Sequence, residues 1–130
     1  MKNKETVLPA PVLIVEDEAM IRSRLDMILS ELGYSQDMLI FAKNLAEAMQ
    51  IIASQPISLA LVDLGLPDGN GITLIEKLRE IDESALILVI SAWSTQQSLF
   101  ASIKAGANGY VLKALRHHHV LSIHSHSLLP

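Results

Sequence analysis

Cysteine is absent from this chain of 130 residues, which excludes disulfides and thiolate metal sites and is compatible with a reducing cytoplasm. Long apolar runs are absent too: none reaches the roughly 18 residues that span a bilayer. Met1 to Ala10 carries no signal-peptide core, so the expectation is a soluble, cytoplasmic protein with no membrane partner. Basic charge is scarce: at a formal net charge of −4, the chain offers no electrostatic reason to bind nucleic acid directly. Aromatic residues make up only 4% while half the chain is apolar, so Ile, Leu, Val and Ala must build the core, as in a sheet covered by helices. The length suits one domain with one core.

What is present alternates between two periods. Val12 to Val15 is a continuous apolar run suited to a central parallel strand, and it ends at Glu16-Asp17. Ile21, Leu25, Ile28 and Leu32 then recur at helical spacing, and Gly33 supplies a left-handed stop. Met38 to Phe41 is a second strand; Asn44 with Glu47 is a capping-box variant opening a helix that must stop near Pro56. Leu59 to Val62 is a third strand ending at Asp63, followed by the turn-rich Gly65 to Gly71 and a helix with Ile72, Ile75, Leu78 and Ile81 on its buried face. Leu86 to Ile90 ends at Ser91, Thr95 to Ala105 is a helix closed by Gly106, and Gly109 to Leu112 is a fifth strand ending at Lys113. Five strands alternating with four helices predict an α/β, doubly wound parallel sheet with right-handed crossovers.

In such sheets ligands bind beyond the carboxyl ends of the strands, and each polar residue just named closes a strand. Taken singly each has an ordinary explanation: Asp17 a helix cap, Asp63 a turn cap, Ser91 a loop residue, Lys113 a surface charge. Together they form one pocket. Three carboxylates that close repel unless a cation neutralises them, and Mg²⁺, with Mn²⁺ as the alternative, is the hard divalent ion suited to oxygen ligands. Glu16, Asp17, Asp63 and a backbone carbonyl near Gly65 would hold it. An aspartate carboxylate beside such an ion can attack phosphorus, so Asp63 is the candidate phosphoacceptor, with Lys113, the Ser91 hydroxyl and the Ala92 N–H on the phosphoryl oxygens.

At these residues the chain resembles the receiver domain of two-component response regulators, over about Val12 to Lys113. Leu-Ile-Val-Glu-Asp-Glu at 13–18 is similar to the family's acidic pair, and Leu-Val-Asp-Leu-Gly-Leu-Pro-Asp-Gly-Asn-Gly at 61–71 to its phosphoacceptor strand and loop; Ser91-Ala92 and Gly-Tyr-Val-Leu-Lys at 109–113 complete the set. The resemblance implies a flavodoxin-like strand order 2-1-3-4-5. It also implies phosphotransfer to Asp63 from a sensor histidine kinase or a phosphotransfer protein, with self-dephosphorylation. Switching would occur on the face of helix four, strand five and helix five through Ser91 and Tyr110, with a homodimer as an option. Gly65 and Trp93, two beyond Asp63 and Ser91, would tune the lifetime of the phosphoaspartate.

The pattern breaks after Lys113. The family places proline there; here Ala114 follows, and a cis bond before alanine costs about 2.5–4 kcal/mol, so Lys113 is expected to be less well placed. Residues 114–130 form an atypical His- and Ser-rich tail in place of the usual fifth helix, after a lead-in at 1–11 and the receiver at 12–113. Alternation at Leu121 and Ile123 suits an extended segment about as well as a helix. All five histidines lie between His117 and His126, at spacings that suit a metal poorly; a frameshifted or expression-derived end explains them better. A tail that replaces the helix should leave sheet edge and apolar side chains exposed. Two rival functions remain at this point: a phosphorylation-independent interaction module, and a phosphatase of the haloacid dehalogenase type, whose second acid is glycine here at position 65.

Overall fold

Val12 to Val15 are all fully buried, which requires cover on both faces of their strand, and the fold supplies it. The computed structural model describes residues 8–91, 95–113 and 121–125. In chain order the main elements are β1 (Val12–Val15), α1 (Ala19–Glu31), β2 (Leu39–Ala42), α2 (Leu45–Ser54), β3 (Leu59–Asp63), the short pair β4 (Gly65–Leu66) and β5 (Gly69–Asn70), α3 (Gly71–Ile81), β6 (Leu86–Ser91), α4 (Gln96–Ala105), β7 (Gly109–Lys113) and β8 (Leu121–Ser125). The main sheet runs β2-β1-β3-β6-β7-β8. Its first five strands are parallel, in the expected doubly wound, flavodoxin-like order.

Alternate residues of the central strands feed two cores. Leu13, Val15, Ala60, Val62, Ile87 and Val89 pack with α2 and α3, with Leu99 and Ile103 of α4 against them. Val12, Ile14, Leu59, Leu61 and Ile90 pack with Ile21, Leu25 and Leu29 of α1 on the other face. The Asn44–Glu47 cap forms as expected: Asn44 Oδ1 accepts from Glu47 N at 2.8 Å, while Glu47 Oε1 accepts from Lys43 N. At the far end of α3, Arg79 Nη2 donates to the Gly106 carbonyl at 2.7 Å and to Asn108 Oδ1 at 3.0 Å, tying α3 to the turn between α4 and β7.

Four expectations need correction. Leu32 and Ile81 fit the helical periods, yet they are 63% and 52% exposed, because each sits at a helix end past the last packed turn; Leu29 is the buried residue instead. The ordinary explanation weighed for Asp17, a cap on α1, does not apply: the N-cap position is Glu18, without a side-chain cap bond. The sheet has six strands, since Leu121–Ser125 pairs antiparallel with β7, Lys113 opposite Leu121 and Gly109 opposite Ser125. That pairing covers the sheet edge that was expected to be bare. On the α1 face a groove of about 290 Å³ opens between α1 and the sheet, lined by Leu25, Leu29, Leu61, Leu88, Ile90 and Val111, of which all but the half-buried Leu88 are buried. The Lys113–Ala114 bond lies outside the described residues, as do Ala92 and Trp93.

Candidate functional site

Strand order reverses between β1 and β3, and the acids lie at the carboxyl ends of those two strands. Glu16 N donates to the Ala42 carbonyl at 3.0 Å, which extends the pairing of β1 with β2 by one residue and fixes Glu16 at the sheet's rim. Its side chain is fully buried, whereas Asp17 is exposed and Asp63 is half-buried. Ligand oxygens of Glu16, Asp17 and Asp63 all lie within 4.8 Å of one another.

Lys113, at the end of β7, reaches into this cluster. Its Nζ is 2.8 Å from Glu16 Oε1 and donates to Asp63 Oδ2 at 3.3 Å. The expectation of a poorly placed lysine is therefore corrected: β7 is held between β6 and β8, and that pairing delivers Lys113 to Asp63. The contact with Glu16 is a buried ion pair, so one ammonium lies against both Glu16 and Asp63. Glu16 Oε2 accepts from Glu18 N at 3.0 Å, and Asp63 Oδ1 accepts from Gly65 N at 3.2 Å.

Burial pushes the Glu16 carboxyl above its usual value, against the opposing pull of Lys113 and the Glu18 N–H. Burial likewise raises Asp63, opposed by the charge of Lys113 and the Gly65 N–H and aided by Asp17. For Lys113 burial acts downward but is outweighed by Glu16 and Asp63, and the ammonium is held above its usual value. One cation thus serves two carboxylates, with a third beside them. The donor set, all hard oxygen, with three carboxylates gathered beside a single ammonium, fits a divalent cation such as Mg²⁺.

The other expected residues fall around this cluster. Gly65 is exposed two residues beyond the end of β3, and a Cβ added there meets nothing within 4 Å. Ser91 closes β6 and pairs with Leu112. Tyr110 on β7 is half-buried against the core. Two contacts had no signal in the sequence pattern. Arg22 Nη1 on α1 donates to the Glu16 carbonyl at 2.9 Å, and Asp68, in the turn after Asp63, accepts from Leu45 N and Ala46 N of α2 at 2.7 and 2.9 Å.

The sequence pattern of the response regulator receiver domain matches residues 12–124. The chain belongs to that family. A transcriptional regulatory protein of Escherichia coli, PhoP, is 37% identical over 102 residues, which is 78% of this chain and 44% of PhoP. The receiver domain described here thus spans less than half the length of such curated relatives. A putative response regulator from Chloroflexus aurantiacus superposes with a TM-score of 0.72 at 29% identity, over 82% of this chain and 86% of that one. A response regulator from Burkholderia pseudomallei, crystallised with a phosphorylated aspartic acid, a calcium ion and citrate, gives 0.71 at 26% identity over 81% and 60%. Neither rival function gains support: position 65 is glycine, and Lys113, whose displacement motivated the interaction-only reading, lies against Asp63. Among the described residues no helix is long and apolar enough to cross a membrane.

Proposed function

We propose that this receiver domain takes a phosphoryl group onto Asp63 in a Mg²⁺-dependent reaction and signals that event through its shape. The observation that carries the reading is the convergence of Glu16, Asp17 and Asp63 with Lys113 Nζ 3.3 Å from Asp63 Oδ2. A carboxylate oxygen of Asp63 attacks phosphorus, the bond from phosphorus to the donor nitrogen of a phosphohistidine breaks, and the imidazole leaves with its electron pair and takes a proton. The product is a mixed anhydride. Glu16 and Asp17, with Asp63 and the Gly65 carbonyl, would hold Mg²⁺, which supplies charge neutralisation for the phosphoryl oxygens when bound. Lys113 moves its hydrogen bond from Asp63 to a phosphoryl oxygen as a point charge. Ser91 and the Ala92 N–H complete the phosphoryl cradle, Ser91 and Tyr110 form the switch, and Gly65 and Trp93 set the access of the hydrolytic water.

The phosphorylated aspartic acid and bound divalent cation of the Burkholderia relative support this reading by similarity. A sensor histidine kinase or phosphotransfer protein is the donor in this reading, and the names of the relatives support a transcriptional output carried by another segment. The test is incubation with a small-molecule phosphodonor and Mg²⁺, read by intact mass. One added phosphoryl group, lost in Asp63→Ala and without Mg²⁺, is expected; its absence from the wild type overturns the reading.

A further inference from the structure

Asp68 sits at the turn between β4 and β5, and both its carboxylate oxygens are spent on α2. Oδ1 accepts from Leu45 N at 2.7 Å and Oδ2 from Ala46 N at 2.9 Å. The start of α2 already has its own cap, because Asn44 Oδ1 takes the Glu47 N–H and Glu47 returns a bond to Lys43 N. Asp68 therefore does more than close a helix end: it ties the β4–β5 hairpin to α2. Packing agrees, since a Cβ on Gly69 would come within 2.7 Å of Leu45 Cδ2, and Leu66 is buried in the core beside α2 and α3.

The same hairpin is joined directly to Asp63. Gly65 N donates to Asp63 Oδ1 at 3.2 Å, Gly71 N to the Leu64 carbonyl at 2.9 Å, and Ile72 N to Asn70 Oδ1 at 2.8 Å. The hairpin is thus held at Leu64, through Gly71 N, and at Asp68, through α2, and Gly65 lies between these two ties. We propose that Asp68 is a positioning residue for the acidic pocket: by clamping the hairpin to α2 it sets the Gly65 peptide, and through it the Asp63 carboxylate, for the divalent cation. The inference rests on the Mg²⁺-dependent pocket proposed above. Asp68 touches neither the cation nor the phosphoryl group in this scheme; it acts through Gly65.

The experiment titrates Mg²⁺ into the full chain by calorimetry, so the readout does not depend on phosphorylation, and follows thermal melting in parallel. Asp68→Ala is expected to weaken Mg²⁺ binding by up to about tenfold, the low end of the loss on removing a direct partner of a metal ligand, since Asp68 acts one step further out through Gly65. Asp68→Asn, which keeps one acceptor oxygen, should recover most of that affinity. Should Asp68→Ala fail to fold, Asp68→Glu provides the second arm: it keeps the charge but carries the carboxylate one methylene past the Leu45 and Ala46 N–H groups, and the same loss of affinity is expected. A lower melting temperature with unchanged Mg²⁺ affinity overturns the proposal and leaves Asp68 as a helix cap only. A wild type that takes up the phosphoryl group normally, beside variants with unaltered Mg²⁺ affinity, overturns the positioning role alone; a wild type that binds no Mg²⁺ overturns both.

Discussion

Lys113 and Glu16 form a buried ion pair, with Nζ 2.8 Å from Oε1 and side chains 7% and 0% exposed. Such a pair is weak grounds for stability when intact, because both charges have left water, but breaking it strands a buried charge. Here Glu16 and Asp63 both depend on the one ammonium.

Lys113→Met is therefore expected to cost about 3 kcal/mol at pH 7, the lower end for removing one partner of a buried pair. The loss should shrink near pH 4.5, where carboxyls held above their usual values take up protons and need no cation. Mg²⁺ should bind more tightly to the variant, since it no longer competes with the lysine. Urea unfolding at the two pH values checks this; equal losses at both would assign the effect to packing.

The pH dependence at Asp63 has the opposite sign from that of an ordinary paired aspartate. Its folded value lies above the unfolded one, so the native state binds the proton more tightly, and the stability it contributes is present in acid and lost as pH rises through the raised value. Asp63→Asn should thus be more stable than wild type at pH 7 without Mg²⁺, with the advantage gone at pH 3. Asp68 is shifted downward by the Leu45 and Ala46 N–H groups and Asp82 by the Ser84 hydroxyl and then the Ser84 N–H, so they slope the other way in both proteins; only the difference between variant and wild type isolates Asp63. Thermal melts with and without Mg²⁺ measure it, and a variant less stable than wild type at pH 7 without the ion contradicts it.

The strands and the pocket were legible in the sequence for one physical reason. A parallel strand buried on both faces reads as an unbroken apolar run, and the first polar residue after it marks the rim where ligands bind; Asp63 after Leu59 to Val62 is such a case. Helix ends were less legible, because the period of Leu32 and Ile81 continues past the point where packing stops. The Asp68 and Arg22 contacts were not legible at all. Asp68 meets residues 22 and 23 positions away, a pairing set by how α2 packs on the sheet and by no local pattern. The strand at Leu121–Ser125 stayed ambiguous because its alternation suits more than one conformation until β7 is there to pair with it.

Two glycines flanking the same hairpin should respond in opposite ways. A Cβ on Gly71 would collide with the Asp63 carbonyl, and it would lie 2.9 Å from Val62 Cγ1, so Gly71→Ala must push back the strand end that carries the candidate phosphoacceptor. A cost of about 2 kcal/mol and weaker Mg²⁺ binding are expected. Gly65→Ala meets open space and should leave the melting temperature unchanged, acting only on the lifetime of the phosphoaspartate. Melting curves and the decay of the mass adduct separate the two.

Ile87 and Leu88 are neighbours on β6 that face opposite sides of the sheet. Ile87 is fully buried beneath α3 and α4, and Ile87→Ala should cost about 3 kcal/mol, within the range for emptying a packed site. Leu88 is half-buried and lines the open groove beside α1, so its truncation forfeits only part of the roughly 1.5–3 kcal/mol of full burial and leaves no closed cavity behind. Leu88→Ala should therefore cost under about 1.5 kcal/mol. The comparison holds strand, position and side-chain size nearly constant, so the difference in unfolding free energy measures cover on the two faces. Equal costs would mean that the groove face is as well covered in solution as the face beneath α3 and α4; unequal costs in the expected order make the α1 face the weak side of the fold, and the place where an added helix would stabilise it.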